Sequence, residues 1–222
     1  MGVSTKRSKR LLYFLHLIDY NAISRWKSMI KTHSMLVDEL SHYGAPDNKI
    51  MRMIEAGELI PLNRGIYETN PSVSPVCLAA SIYGPSYVSF EYALSFYGLI
   101  PERVSTVTSA TFEKNRRKTF TNAFGAFSYR DVPSAVFPLE LRIETEGDYA
   151  FRIASPEKAL CDQLYKATPV GSMKQLRDLL FADWRIEETA FCALDAQLLL
   201  QLAPQYRRKN LRMLRKLLEK RK

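Results

Sequence analysis

The chain has 222 residues, 46% of them hydrophobic and 11% aromatic, which is ample for one large folded domain or two small ones and too apolar for a disordered chain. Its net charge of +9 sits at the ends: residues 207–222 hold nine Lys or Arg against one Glu, Lys6, Arg7, Lys9 and Arg10 hold four more, and the stretch between is slightly acidic. Basic ends on a near-neutral body suit a polyanion, of which nucleic acid is the usual one, although two solvated terminal helices would have the same composition.

Cys77, Cys161 and Cys192 lie far apart in apolar settings, with no CxxC pair, and read as reduced packing residues of a cytoplasmic protein. No apolar run is long enough to span a bilayer, so no membrane partner is expected. The apolar residues 11–18 follow a basic stretch, but Asp19 comes next and no small-residue cleavage site does, which argues against a signal peptide.

In chain order, residues 1–10 read as a flexible basic arm. Residues 11–31 are apolar at helical intervals (Leu12, Leu15, Ile18, then Ile23, Trp26, Ile30) and predict one or two helices. Residues 34–69, with His33 at their head, predict a helix, a tight turn, a second helix and a two-stranded hairpin. Leu36, Val37 and Leu40 recur at helical spacing, Gly44 breaks the helix, and Pro46 restarts it where no amide partner is needed. Ile50, Met53 and Ile54 share one face of the second helix, while Asn48, Met51, Arg52 and Glu55 point the other way. Gly57 ends it. Residues 58–61 and 65–69 then flank Leu62-Asn63-Arg64, where Asn and Gly suit a turn of positive φ.

A helix pair with a polar outer face followed by a basic-tipped hairpin is the pattern of a winged helix-turn-helix. Its second helix would enter the major groove and the wing would touch phosphate. Asn48, Lys49, Met51 and Arg52 are the candidate base or phosphate contacts, with Asn63 and Arg64 on the wing; by geometry Asn48 suits adenine and Arg52 suits guanine. Asp47 and Glu55 offset Lys49 and Arg52, so attraction to phosphate must come largely from elsewhere. The plainer reading is a small helical subdomain that binds protein or nothing.

Residues 70–75, with two prolines and two serines, form the linker candidate. A helix over 76–83 follows, then a short one over 90–97 with Ser89 as its cap, Glu91 in its first turn and Gly98 at its exit. From Val104 the period becomes two, predicting strands over 104–109, 118–121, 124–130, 139–144 and 149–153 in a mostly antiparallel sheet. Ser155-Pro156-Glu157 opens a helix, and others follow over 173–182, 195–203 and 207–221. Arg116-Arg117-Lys118 reads as a basic hairpin tip that is either a nucleic-acid contact or a solvated turn. Arg207, Arg208 and Lys209 open the basic terminal helix and are a second possible nucleic-acid or partner contact.

The run from Tyr83 through Ser89-Phe90-Glu91-Tyr92 to Glu102 resembles the AbiEi family of antitoxins from abortive-infection (type IV) toxin–antitoxin systems. So do Val107-Thr108-Ser109, Phe124-Gly-Ala-Phe-Ser-Tyr-Arg130, Ile153-Ala-Ser-Pro-Glu-Lys-Ala-Leu-Cys-Asp162, Ala56-Gly57-Glu58-Leu59 and Arg64-Gly65-Ile66-Tyr67, in the same order over roughly residues 34–200. The resemblance implies two domains. A winged helix would bind inverted repeats upstream of its own operon as an autorepressor. A C-terminal domain would counter a nucleotidyltransferase-type toxin, by a functional rather than necessarily physical partnership. Where the family opens its recognition helix with polar or basic residues, this chain has Pro46-Asp47, and its lead-in before residue 34 is longer than the family's.

The expected architecture is therefore α+β: residues 1–70 as basic arm, helices and winged helix-turn-helix, and residues 76–222 as a mixed domain with flanking helices. Catalysis is not expected. His16, His33 and His42 match no metal-ligand spacing, and there is no phosphate-binding glycine loop, no GxSxG elbow and no Glu-x-Lys pair. Of the best carboxylates, Glu91 and Glu157 read as helix-start acids and Asp162 as a surface or supporting residue; no metal or cofactor is called for. The alternative is a protein-interaction module that docks a toxin or other partner through the C-terminal domain without sequence-specific DNA binding.

Overall fold

The computed structural model describes residues 30–220, and the chain divides into two units, Met1–Val73 and Ser74–Lys222. The basic arm, most of the helical stretch expected over 11–31 (His16 and Trp26 included) and the last two cations lie outside the described residues. The class is α+β.

In the first unit, Lys31–Thr32 (β1) pairs antiparallel with Ile66–Glu68 (β3), which pairs in turn with Ile60–Asn63 (β2). Lys31, expected at the end of a helix, is thus in a strand. Helix His33–Glu39 (α1) starts where the Thr32 hydroxyl accepts the Met35 amide at 3.3 Å, leaving one fewer unsatisfied donor at the helix start. Helix Pro46–Glu55 (α2) stops at Gly57, whose φ of +73° lets its amide reach the Ile54 carbonyl and the Glu58 amide reach that of Met53. Leu36, Ile50 and Leu59 form the core, with Val37, Leu40, Met53, Ile54 and Tyr67 packed around them. The hairpin reverses at Arg64-Gly65, with Gly65 at φ +72°; Asn63, expected in the turn, ends β2 with its side-chain oxygen accepting the Arg64 amide at 2.7 Å.

The second unit holds a six-stranded sheet in the order β6-β7-β5-β4-β9-β8. Its strands are Tyr87–Val88 (β4), Val107–Thr111 (β5), Lys118–Asn122 (β6), Gly125–Asp131 (β7), Leu141–Glu146 (β8) and Tyr149–Ala154 (β9). Three of the five pairings are antiparallel, as the alternating pattern predicts for most of the sheet, and two make it mixed: β5 runs parallel to β7 and β4 parallel to β9. The β5–β7 pair is parallel because β6 is an outer strand. The chain leaves β5, arches over the end of β7 and returns through β6, so Arg116 and Arg117 lie on a β5–β6 connection and not on a hairpin tip. Asp131 pins that arch, accepting the Thr111 hydroxyl at 2.6 Å and the Asn115 amide at 2.5 Å.

Every residue of β5 is buried, so the middle of the sheet is covered on both faces. Helices Pro75–Ile82 (α3), Phe90–Phe96 (α4) and Pro156–Lys166 (α5) pack on the strands, and α5 carries a further layer of Ala196–Leu202 and Lys209–Glu219. Ser89 does not cap α4. The Thr108 hydroxyl does so from β5, accepting the Tyr92 amide at 3.0 Å while donating to the Ser89 carbonyl at 2.6 Å. The expected helix over 173–182 is a short α-helix, Met173–Arg177, continued by a π-helix, Asp178–Asp183, and a separate short helix, Glu188–Ala193, follows.

Candidate nucleic-acid interface

Core packing of α2 through Ile50, 2% exposed, turns the opposite side outward. Asn48, Met51, Arg52 and Glu55 are exposed there, Met51 at 56%, and Lys49 is half-buried with its ammonium 5.8 Å from the centre of the Tyr43 ring. Asp47 opens the helix 3.2 Å from the His33 imidazole, an ion pair when that ring is protonated. Arg64 is exposed at the tip of the hairpin, whereas the side chain of Asn63 is half-buried and holds the turn. Four candidates, Asn48, Met51, Arg52 and Arg64, are thus presented to solvent, and two, Lys49 and Asn63, are partly engaged at home.

The described part of this unit is not basic. Lys31, Lys49, Arg52 and Arg64 face Asp38, Glu39, Asp47, Glu55, Glu58 and Glu68, and Lys31 is held by Glu39 at 2.5 Å. In the second unit the picture reverses. Leu211, Leu214, Leu217 and Leu218 bury one side of Lys209–Glu219, and Arg212, Arg215 and Lys216 line the other, with Arg207, Arg208 and Lys209 exposed at its start. A groove of about 410 Å³ runs there over Pro204 and Leu211 between Arg207, Arg212, Arg215 and Lys216; Glu219 is tied to Arg215 at 2.9 Å. Arg116 and Arg117 are exposed on their arch and Lys118 begins β6, half-buried.

A second concavity, about 720 Å³, opens between α4, β7, α5 and the π-helix. Its floor is the Glu91–Arg130 ion pair, with Gln163 donating to Glu91 at 3.1 Å and the guanidinium 4.0 Å above the Phe90 ring. Burial pushes the Glu91 carboxyl up, but the hydrogen bonds and charge of Arg130 outweigh it and leave the pKa below the ordinary value. Lys166 on the rim is depressed by burial. Since Glu91 and Arg130 neutralise each other, neither is a ready proton donor or nucleophile. Glu91 is thus an ion-pair partner as well as a helix-start acid.

Asp162 is fully buried, which overturns the surface alternative and leaves the supporting one. It accepts from the hydroxyls of Tyr87 (2.8 Å), Ser89 (2.7 Å) and Tyr206 (2.6 Å), and the buried Lys158 ammonium lies 3.8 Å away while donating to the Val136 carbonyl at 2.6 Å. Burial, then the Asp162 charge, raise both tyrosines well above their ordinary pKa. Glu157 is also buried and accepts the Asp195 amide at 3.0 Å. These are closed hydrogen-bond networks that hold helices together.

No family model and no curated protein matches this chain. Among the described residues no group of three or more His, Cys, Asp or Glu is placed to hold a metal, and no helix is long and apolar enough to cross a membrane.

Sequence reasoning missed Arg130, Gln163, Lys158, Tyr87 and Tyr206. Only one of these left a local signal: Lys158 stands four residues before Asp162, one helical turn. The others meet across 39 to 75 residues of chain, which no local pattern encodes.

Proposed function

We propose that the protein is a DNA-binding autorepressor and antitoxin of a toxin–antitoxin operon, of the AbiEi type, with residues 33–68 acting as a winged helix-turn-helix. One observation carries the reading: α2 buries Ile50 and turns Asn48, Met51 and Arg52 outward beside a hairpin tipped by Arg64. An amide, a guanidinium and an apolar side chain on one exposed helix face match the donor, acceptor and methyl pattern of the major groove. Because this unit's described residues carry more acid than base, phosphate attraction falls to the basic segments, residues 1–10 and the helix Lys209–Glu219. The proposed partners are inverted repeats upstream of the protein's own operon and a nucleotidyltransferase-type toxin, in the cytoplasm. The test is a gel-shift titration of the full chain on that upstream duplex against scrambled DNA.

The charge inventory also favours a second reading. With four cations against six acids among its described residues, and with Met35, Tyr43 and Met51 each more than 40% exposed, that part of the first unit offers a protein partner apolar and acidic side chains. Salt separates the two: sequence-specific binding survives scrambled competitor at raised salt, while a grip by the basic ends alone does not.

A further inference from the structure

Among the described residues β8 has only β9 beside it, so one of its edges is open. The Ser155 amide donates to the Glu140 carbonyl at 2.9 Å, one step beyond the Leu141–Ala154 pair. In an antiparallel ladder the bonded pairs alternate, so Arg142, Glu144 and Glu146 also spend their backbone groups on β9. Leu141, Ile143 and Thr145 therefore turn theirs to the open edge. Ile143 is 73% exposed, more than any other large hydrophobic side chain among the described residues. The opposite edge of the sheet, β6, exposes only Thr119 and Thr121. Nothing blunts β8 either: it has no proline, no lysine and no break in register.

We propose that β8 pairs with β8 of a second copy of this chain, antiparallel about a two-fold axis at Ile143, joining the two sheets into one. Charge selects both the partner and the register. Centred on Ile143, the pairing sets Leu141 opposite Thr145 and Arg142 opposite Glu144, and every outward backbone group of residues 141–145 meets its complement. Centring on Arg142 would set arginine against arginine, and centring on Glu144 would set glutamate against glutamate. Arg142 already lies 5.6 Å from the Tyr97 ring, on the face that it shares with Glu144. Glu140 and Glu146, which approach at either end, are exposed and lie outside the five paired residues. A self-complementary patch on a two-fold axis is the ordinary form of a homodimer. Such pairing is independent of DNA binding.

The test is sedimentation of the full chain over a concentration series, for the unmodified protein, Arg142→Glu, Glu144→Arg, an equimolar mixture of those two variants, and Ile143→Lys. The unmodified chain is expected to dimerise with rising concentration. Each charge variant sets like charges opposite at both symmetric positions and should dimerise about tenfold more weakly. Their mixture should recover the dimer, because every cross-strand charge pair then joins opposite signs. Ile143→Lys, at a position the core does not use, should also dissociate it. A monomer at every concentration overturns the proposal. So does a dimer that Ile143→Lys leaves intact, since the copies would then join elsewhere, or a mixture of folded charge variants that pairs no better than either alone.

Discussion

Replacing Asp162 with Asn tests whether the buried polar network holds the second unit together. The substitution keeps the shape of the side chain but removes its charge and converts one acceptor to a donor. Three hydroxyls, at 2.6 to 2.8 Å, then compete for one remaining carbonyl oxygen, and the Lys158 ammonium at 3.8 Å loses its counter-charge in a site with no solvent access. Removing one partner of a buried ion pair costs about 3–5 kcal/mol, and the hydroxyls can recover part of this by rotating. We expect a loss of about 3 kcal/mol, a large share of the roughly 5–15 kcal/mol that stabilises a typical domain. Lys158→Met should cost less, because Asp162 keeps its three donors and the apolar chain fills the same space. The double variant should lose less than the two single losses added together. Urea unfolding followed by Trp184 fluorescence in a Trp26→Phe background reads the second unit, since those are the two tryptophans of the chain. A loss under about 0.5 kcal/mol for Asp162→Asn would show that the network is not holding the fold.

Glu91 gives a pH prediction. Its folded pKa is lowered, so the stability it supplies is fully present above its unfolded value of 4.5 and is lost as pH falls through the folded value. Glu91→Gln should flatten that acid limb of the stability profile while costing only about 1 kcal/mol at neutral pH, the pair being partly exposed; an unchanged acid limb would remove Glu91 from the explanation. Gly57→Ala puts a side chain at φ +73° with no atom within 4 Å, so backbone strain alone should cost about 1 kcal/mol in urea unfolding of the first unit. A neutral Gly57→Ala would mean the helix end can be rebuilt without the left-handed residue. Arg52→Ala should weaken binding to the upstream duplex by about 1–3 kcal/mol and leave binding to scrambled DNA nearly unchanged. Equal loss on both would make Arg52 a phosphate contact.

Local signals made the first unit legible. Leu36, Ile50 and Leu59 are spaced for burial, Pro46 and Gly57 bound the second helix, and the hairpin turns at a glycine. The outward residues of α2 follow from the same periodicity. The second unit was legible as strands and helices but not as a sheet. Parallel pairing of β5 with β7 depends on β6 being outermost, and the two-residue strand Tyr87–Val88 is too short for its period to register. Ser89 looked like a helix cap because its type and position fit, yet its hydroxyl satisfies Asp162 and a strand threonine caps the helix instead. Tertiary partners decided both roles. The 720 Å³ concavity was invisible for the same reason, since Glu91, Arg130 and Gln163 meet only once the sheet and helices are assembled.

The proposed repressor function comes down to one titration: full-length protein on the duplex upstream of its own gene, with scrambled competitor, at two salt concentrations. Retarded species that survive competitor at the higher salt and appear in two steps are the predicted result, the signature of occupancy at paired repeats. Binding that is equal on scrambled DNA and collapses with salt would contradict it, because it would leave only the basic ends gripping phosphate.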